Sequence, residues 1–241
     1  DRYVKISIII NEKWSKKMQN LNVLYEDNHI IVVEKPVNIP SQADKTGDID
    51  MLTIIKQYIK EKYNKPGNVY LGLVHRLDRP VGGVMVFAKT SKAASRLSEE
   101  VRLKQFEKKY LVIANGKFEK DKGELEDYLL KNQAKNMSKV VKEGTKNSKL
   151  AKLDYEVIKF DPDLNLSVVK INLHTGRHHQ IRVQFASRGY PLCGDQRYGK
   201  SDKTQIALCA YKLEFIHPTT KQLMKFEIEK PLDTYWTDFT L

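Results

Sequence analysis

Alternating and continuous apolar stretches along the 241 residues predict a protein built mainly of short β-strands. Residues 166–173 alternate through Val169, Ile171 and Leu173, as in a strand with one buried face. Residues 118–150 are rich in Lys, Asn and Gly, and we expect them to form an exposed, irregular excursion. Other apolar runs of strand length lie at 23–25, 30–33, 70–74, 84–88, 110–114, 153–158, 206–215 and 223–229.

Three segments have the spacing of short helices. Asp48 or Asp50 is placed to cap the first, Ser91 is the predicted cap of the second, and Gly189 is the predicted left-handed stop of the third. The predicted ranges are 51–63, 91–101 and 178–188.

Strands and helices that do not strictly alternate predict an α+β fold with a mixed sheet. No linker-like stretch divides residues 21–241, so we predict one domain there. Residues 1–20 are rich in Lys and are predicted to form an N-terminal arm or an appended strand.

Composition narrows the class of protein. Charged residues make up 30% and apolar residues 41%, which lies outside the range of disordered chains. The longest apolar runs are strand-sized, so no membrane span is expected. Only Cys193 and Cys209 are present, which excludes a disulfide scaffold and a four-cysteine zinc site. With no signal-like segment near the start, we predict a reducing, cytoplasmic location.

The charge balance favours a polyanionic partner. Lys and Arg number 42 against 30 acidic residues, giving +12 at pH 7, which indicates nucleic acid first and an anionic membrane second. Nine of the 42 are Arg, and six of those nine fall within residues 76–79 and 177–197. Because Arg supplies a planar, two-pronged fork that Lys lacks, these segments are the first candidates for a site.

The first segment is His75-Arg76-Leu77-Asp78-Arg79-Pro80-Val81-Gly82-Gly83. It places the Asp78 carboxylate between two guanidinium groups, and its glycines allow a tight turn. Positive neighbours favour the ionised carboxylate, which suits a nucleophile or general base better than a general acid. The alternative is an ordinary turn, since Asp shortly before Pro is common turn chemistry.

The second segment is His174-Thr175-Gly176-Arg177-His178-His179-Gln180-Ile181-Arg182, which leads from a strand into a helix whose first amides suit a phosphate. His178 and Arg182 are four residues apart and are expected to share a helix face. The alternative is a capped helix with a polar flank. A zinc site is not predicted, because the adjacent His178 and His179 should point to different faces and no HExxH or paired-Cys motif is present.

In this order the segments resemble the RluA-type RNA pseudouridine synthases. His75-Arg76-Leu77-Asp78 matches the HRLD motif of that family, and residues 175–182 match its TGRxHQIR motif. Lys109-Tyr110-Leu111 resembles the strand motif between them, and residues 24–27 with 34–36 resemble the usual opening. Val81-Gly82 stands where Thr-Ser is usual, and Gln184 stands where His is common.

The resemblance implies an isomerase that converts a uridine already in RNA to its C-glycoside, without a cofactor or metal. It also implies a bent mixed sheet flanked by helices, with the active cleft across its middle. The base must leave the stack, be detached from the ribose, turn and be rejoined through carbon. Asp78 is then the catalytic carboxylate, acting as nucleophile or as base, with Arg182 as its ion-pair partner. Tyr110 stacks on the target base, and its alternative is a core tyrosine.

The resemblance also implies residues that hold the RNA. Arg76 is expected to fill the gap left by the flipped base or to bind its phosphate. Arg177 and His179 are expected to bind the RNA. Leu77 and Ile181 are expected to shape the wall of the substrate pocket.

Two other functions share the same charge. A non-catalytic RNA-binding or ribosome-assembly protein on this scaffold is the main alternative, and a metal-dependent nuclease is a third. Asp78 distinguishes the first of these, because a carboxylate within a phosphate-binding patch repels the ligand of a simple binder. Ribosomal and transfer RNA are both open as substrates, and we expect a monomer because the sequence has no heptad pattern.

Overall fold

The computed structural model describes residues 21–200, 204–229 and Trp236, so the predicted arm at 1–20 lies outside the described residues. The chain divides into two compact units. The first contains the described residues up to Arg102 together with Ile216–Gln222, and the second contains Leu103–Phe215 and the described residues from Leu223 onward.

The first unit combines an antiparallel sheet with two helices. Strand β1 (Asn22–Glu26) pairs with β2 (Ile30–Lys35), and β4 (Gly82–Ala88) pairs with β2 and with the two-residue β3 (Gly72–Leu73). Every residue of β4 is buried, which explains its uninterrupted apolar sequence. The strand predicted at 70–74 is found only as the two-residue β3, which is much shorter than expected.

The two helices of this unit start on side-chain caps. Helix α1 (Met51–Lys62) begins after Asp50, whose carboxylate accepts from the backbone N–H of Thr53 at 3.2 Å, so the second of the two predicted caps is the one used. Helix α2 (Ser91–Arg102) includes Ser91, which was predicted to be its cap, as the first helical residue. Thr90, not Ser91, is its cap, since the Thr90 hydroxyl accepts from the N–H of Ala93 at 3.1 Å.

The second unit is built on a longer antiparallel sheet. Its strands follow the order β10-β5-β9-β8-β6-β7, and β11 pairs with β10. The strand predicted at 166–173 is found with those bounds. The strand ranges are β5 (Glu107–Asn115), β6 (Lys122–Asn132), β7 (Met137–Val141), β8 (Lys149–Asp161), β9 (Leu166–Leu173), β10 (Leu208–Ile216) and β11 (Leu223–Glu227).

The expectation of an irregular excursion at 118–150 is wrong. These residues form the β6–β7 hairpin, and β6 also pairs with β8 along eight residues from Lys122 to Leu129. The hairpin was missed because its solvent-facing positions are filled by Lys, Glu and Asn, so the apolar alternation is weak. Polar and charged side chains are tolerated in a hairpin at the outer part of a sheet.

The core of the second unit includes both cysteines. Cys193 and Cys209 are buried and packed with Ile113, Val168 and Trp236, so they serve as small apolar residues in this core.

Helix α3 (Gln180–Ala186) is shorter than the predicted range 178–188. It begins late because His179 adopts a left-handed conformation, with φ 54° and ψ 28°, which a helix interior does not accept. Gly189 follows with φ 85°, as predicted for the stop. Among the described residues, no helix is long and apolar enough to cross a membrane.

Candidate active site

Asp78 lies on the loop between β3 and β4 in the first unit, and its side chain is half-buried. The backbone on each side of it is fixed by a buried side chain. The Ser41 hydroxyl donates to the Leu77 carbonyl at 2.8 Å and accepts from the Leu77 N–H at 3.2 Å. The Lys35 ammonium donates to the carbonyls of Arg79 at 3.1 Å and Pro36 at 2.9 Å. The loop therefore presents Asp78 from a rigid backbone without sealing it from solvent.

Lys35 is fully buried beneath this loop. Burial lowers the pKa of its ammonium to about 7, with the Asp78 carboxylate acting in the opposite direction and Arg79 acting in the same direction. The sequence offered Lys35-Pro36 only as part of an opening motif, and Ser41 had no signal at all. Both supporting residues were therefore missed.

The other predicted residues of this loop differ in exposure. Leu77 is buried at 7% exposure, while Arg76 is exposed. Arg79, adjacent to the carboxylate in sequence, forms ion pairs with Asp48 and Asp44. The tight turn lies just before the glycine pair, where the Val81 N–H donates to the Asp78 carbonyl at 3.0 Å. Gly82 and Gly83 begin strand β4, and Gly83 has φ 133°, a conformation that side chains with a Cβ rarely adopt.

Arg182 lies on α3 in the second unit with its guanidinium buried. Its Nε donates to Asp195 Oδ2 at 2.8 Å and its Nη2 donates to Asp195 Oδ1 at 2.6 Å, which is a two-pronged ion pair. The Tyr198 ring lies 5.3 Å from the guanidinium carbon. Nothing in the sequence pattern assigned Asp195 or Tyr198 to Arg182.

The start of α3 is closed by Gln180. Its Oε1 accepts from the Thr175 hydroxyl at 2.7 Å and from the Arg177 N–H at 3.1 Å, and its Nε2 donates to the Lys152 carbonyl at 3.1 Å. The Arg177 amide, which the sequence offered to a phosphate, is thus bonded within the protein. The Arg177 side chain is exposed and its Nε donates to the Leu150 carbonyl at 2.8 Å.

His178 and His179 do not point to different faces as expected. Because both precede the helix and His179 is left-handed, their rings stack with centroids 3.8 Å apart. His178 contacts Ser138 Oγ at 3.0 Å and Asn136 Oδ1 at 3.1 Å, which ties the β6–β7 hairpin to the start of α3. Within the described part of the chain, no group of three or more His, Cys, Asp or Glu is placed to hold a metal ion.

His179 is buried at 7% exposure, and its Nδ1 lies 3.0 Å from the Tyr198 hydroxyl. Burial, helped by Arg182 and Arg197, lowers the pKa of its imidazole to about 3, so the ring is neutral at physiological pH. The adjacent helix residue Ile181 is also buried, at 5% exposure.

Tyr110 lies on β5 opposite Ile171 of β9 and is 6% exposed. The structure therefore brings together Arg76, Leu77 and Asp78 on one loop of the first unit. Tyr110, Arg177, His179, Ile181 and Arg182 belong to the second unit. The catalytic pairing of Asp78 with Arg182 and the stacking role of Tyr110 stay predictions.

Comparison with known proteins gives the class directly. A family model described as RNA pseudouridylate synthase matches residues 29–187, a range that includes both sequence motifs. An RNA pseudouridine synthase of Aquifex aeolicus is 36% identical over 88% of this chain and 70% of its own length. The ribosomal large subunit pseudouridine synthase C of Buchnera aphidicola is 33% identical over 98% of this chain and 74% of its own length.

The fold agrees with that assignment. The solved structure of human RNA pseudouridylate synthase domain containing 4 matches with a TM-score of 0.78 at 19% identity, covering 92% of this chain and 94% of its own. The chain belongs to the RNA pseudouridylate synthase family, in its RluA-type branch. It is an isomerase that acts on uridine in RNA, which confirms the function and the α+β pseudouridine synthase fold predicted from the two motifs. Membership of this family does not favour the non-catalytic alternative.

Proposed function

We propose that this enzyme converts uridine to pseudouridine in ribosomal large-subunit RNA, with Asp78 as the catalytic carboxylate. The observation that carries the proposal is the Asp78 loop, where a half-buried carboxylate stands between two residues whose backbone is fixed by Ser41 and Lys35. A reacting group must be held closely while remaining open to substrate, and this loop meets both needs. The choice of ribosomal RNA rests on the names of relatives such as the Buchnera enzyme.

The reaction needs the target base out of its stack before it is detached, turned and rejoined. Asp78 acts at the ribose, either as the nucleophile or as a base. Arg182 is its proposed ion-pair partner, and the fork geometry imposed on Arg182 within the second unit suits a donor of fixed direction. Tyr110 is the proposed stacking partner of the base, since an aromatic face grips a base and tolerates its rotation.

The RNA backbone is held by cations outside the reacting centre. Arg76 and Arg177 are exposed and are proposed to contact RNA, with Arg76 filling the space of the flipped base or binding its phosphate. Leu77 and Ile181 are buried and are proposed to shape the wall of the substrate pocket, and the buried His179 is proposed to contact the RNA there.

A second group of cations lies on the β6–β7 hairpin and the turn that follows it. Residues 131–149 contain six exposed lysines and one carboxylate, Glu143, which accepts from the Tyr128 hydroxyl. In the part of the chain that the structure describes, no ion pair involves any of the six. We propose that they bind phosphates of the RNA, because unpaired surface cations of one sign release counterions on binding a polyanion. These lysines are Lys131, Lys135, Lys139, Lys142, Lys146 and Lys149.

Transfer RNA is the second candidate substrate. That the enzyme acts as a monomer in the cytoplasm stays a prediction. Nucleotide-resolution mapping of pseudouridine in total RNA, with and without the gene, tests the proposal. We expect one or more uridines of the large ribosomal RNA to lose the modification when the gene is absent. Loss of pseudouridine from transfer RNA alone would make transfer RNA the substrate, and an unchanged pseudouridine map would contradict the proposal.

A further inference from the structure

Arg182 is contacted by two residues outside the two sequence motifs, Asp195 at the edge of its guanidinium and Tyr198 at its face. We infer that Asp195 and Tyr198 are positioning residues for Arg182, which fix the direction of its guanidinium for the reaction. The inference rests on the proposed function, in which Arg182 is needed for turnover.

Asp195 lies where it does because Gly194 precedes it. Gly194 has φ 69°, and a Cβ built there would lie 2.2 Å from the Gln205 carbonyl oxygen, so no larger residue fits. This close approach places the fully buried Asp195 side chain against Arg182.

The ion pair is completed by further donors to the same carboxylate. Asp195 Oδ1 accepts from the backbone N–H of Arg197 at 2.9 Å and of Tyr198 at 3.2 Å, in addition to Arg182. These bonds and the guanidinium hold the pKa of Asp195 below its usual range despite the opposing effect of burial. A buried ion pair is weak evidence for stability, because its desolvation offsets most of the attraction. Its geometric precision is the better explanation for its presence.

Tyr198 supports the guanidinium from its face. The ring lies 5.3 Å from the guanidinium carbon, within the range of a cation–π contact. Its hydroxyl accepts from the Ser138 N–H at 2.7 Å and contacts His179 Nδ1 at 3.0 Å, and the His179 ring stands edge-on to it. These contacts hold the hydroxyl end of the ring, in addition to the contact of its face with Arg182.

These contacts determine what Arg182 can do. Asp195 accepts hydrogen bonds from Nε and Nη2 of Arg182, and Nη1 takes no part in this pair. Because the guanidinium is planar, the pair also fixes the direction in which Nη1 points. Asp195 also neutralises the guanidinium charge locally. Arg182 then acts through the direction of its N–H groups.

The test is Asp195→Asn, assayed for pseudouridine formation on an RNA that the wild-type enzyme modifies. The isosteric amide keeps the shape but replaces one acceptor by a donor, so we expect kcat to fall about tenfold or more with KM within about threefold. In an Arg182→Lys background the same change should cost less than about threefold, because the fork it serves is already lost. The matched control is Asp127→Asn, which breaks the partly exposed two-pronged pair of Asp127 with Arg188 and should leave kcat unchanged.

A second pair of variants tests the ring and does not depend on the folding of Asp195→Asn. Tyr198→Phe keeps the aromatic face and should keep kcat within about threefold, whereas Tyr198→Leu should lower it about tenfold. The inference is overturned if Asp195→Asn retains the wild-type kcat, if its loss is the same in the Arg182→Lys background, or if Phe and Leu at position 198 behave alike. Failure of the proposed function is distinguished before Asp195 is changed. It would appear as a wild-type enzyme that forms no pseudouridine, or as an Arg182→Lys variant that keeps the wild-type rate.

Discussion

Arg182 and Asp195 form two parallel hydrogen bonds, of 2.8 and 2.6 Å, with the carboxylate side chain fully buried. The arginine comes from a helix and the aspartate from the segment after it, thirteen residues later. A single point charge cannot reproduce this relationship, because each oxygen has its own N–H donor. The requirement for arginine at position 182 can therefore be tested by substitution with lysine.

Arg182→Lys should reduce the rate of pseudouridine formation by more than about tenfold, since lysine keeps the charge and loses the fork. The measurement is kcat at saturating RNA, with the thermal midpoint as a check on folding. Arg188→Lys is the matched control, because Arg188 makes a similar pair with Asp127 that is more exposed. A near wild-type rate for Arg182→Lys would reject the role of the fork.

Tyr110→Phe should be milder than Tyr110→Ala if stacking on the target base is the main task of this ring. Stacking contributes about 1–3 kcal/mol per base, so Ala should lower kcat/KM at least about fivefold and Phe hardly at all. Because Tyr110 is only 6% exposed, Ala also leaves a cavity, and the assay belongs at a temperature where both variants are folded. If Tyr110→Ala loses stability but keeps kcat/KM, Tyr110 is a core residue.

Replacing Lys131, Lys135 and Lys139 together by Gln should weaken RNA binding and flatten its salt dependence. Each lost phosphate contact lowers the slope of log K against log salt by about 0.7 to 0.9, so the triple variant should lose about 2 to 3 in slope. Filter binding at several salt concentrations measures this change.

The control for the hairpin variant removes the same charge from the helices of the first unit. Lys56, Lys60 and Lys92 are exposed there, and their triple Gln variant should change the slope much less. Equal slopes for the two triple variants would show that the cations of the β6–β7 hairpin are not the preferred contact.

Acid should destabilise the folded protein through His179. Burial, together with Arg182, Arg197 and Lys131, lowers the pKa of this imidazole to about 3, against a partial opposing effect of Asp195. The unfolded chain takes up a proton near pH 6.5 while the folded chain does not, so the free energy of unfolding falls as pH drops below about 6.5. Between pH 7 and pH 5 this one residue should account for about 2 kcal/mol.

Urea unfolding of the wild type and of His179→Gln at these two pH values measures the effect. The wild type should lose about 2 kcal/mol more than the variant, because Gln does not titrate. Equal losses would show that His179 is not the group responsible.

The sequence predicted the buried parts of the fold better than the exposed parts. Strand β9 was predicted with its observed bounds because Val169, Ile171 and Leu173 alternate on one buried face. The β6–β7 hairpin was missed because its polar residues hide the same periodicity. Thr90 was missed as the cap of α2 because the neighbouring Ser91 is an equally good capping residue and only the structure shows which hydroxyl accepts the bond.

The site shows a similar division. The ordered motifs identified the family and drew attention to Asp78 and Arg182, since these residues lie within short, contiguous sequence signatures. The residues that hold them, Lys35 and Ser41 in the first unit and Asp195 in the second, were missed because their contacts join distant parts of the chain. The complete burial of Lys35, which is 0% exposed, also has no sequence signal, since lysines are ordinarily exposed.

The most direct test of the whole account is turnover by Asp78→Asn on an RNA that the wild-type enzyme modifies. The substitution keeps the size of the side chain and removes its charge, while the basic groups that bind RNA stay in place. We predict that pseudouridine formation is abolished and that RNA affinity stays within about threefold of the wild type. Pseudouridine detected at the wild-type rate with this variant, by chemical probing of the same RNA, would contradict the assignment of Asp78 as the catalytic carboxylate.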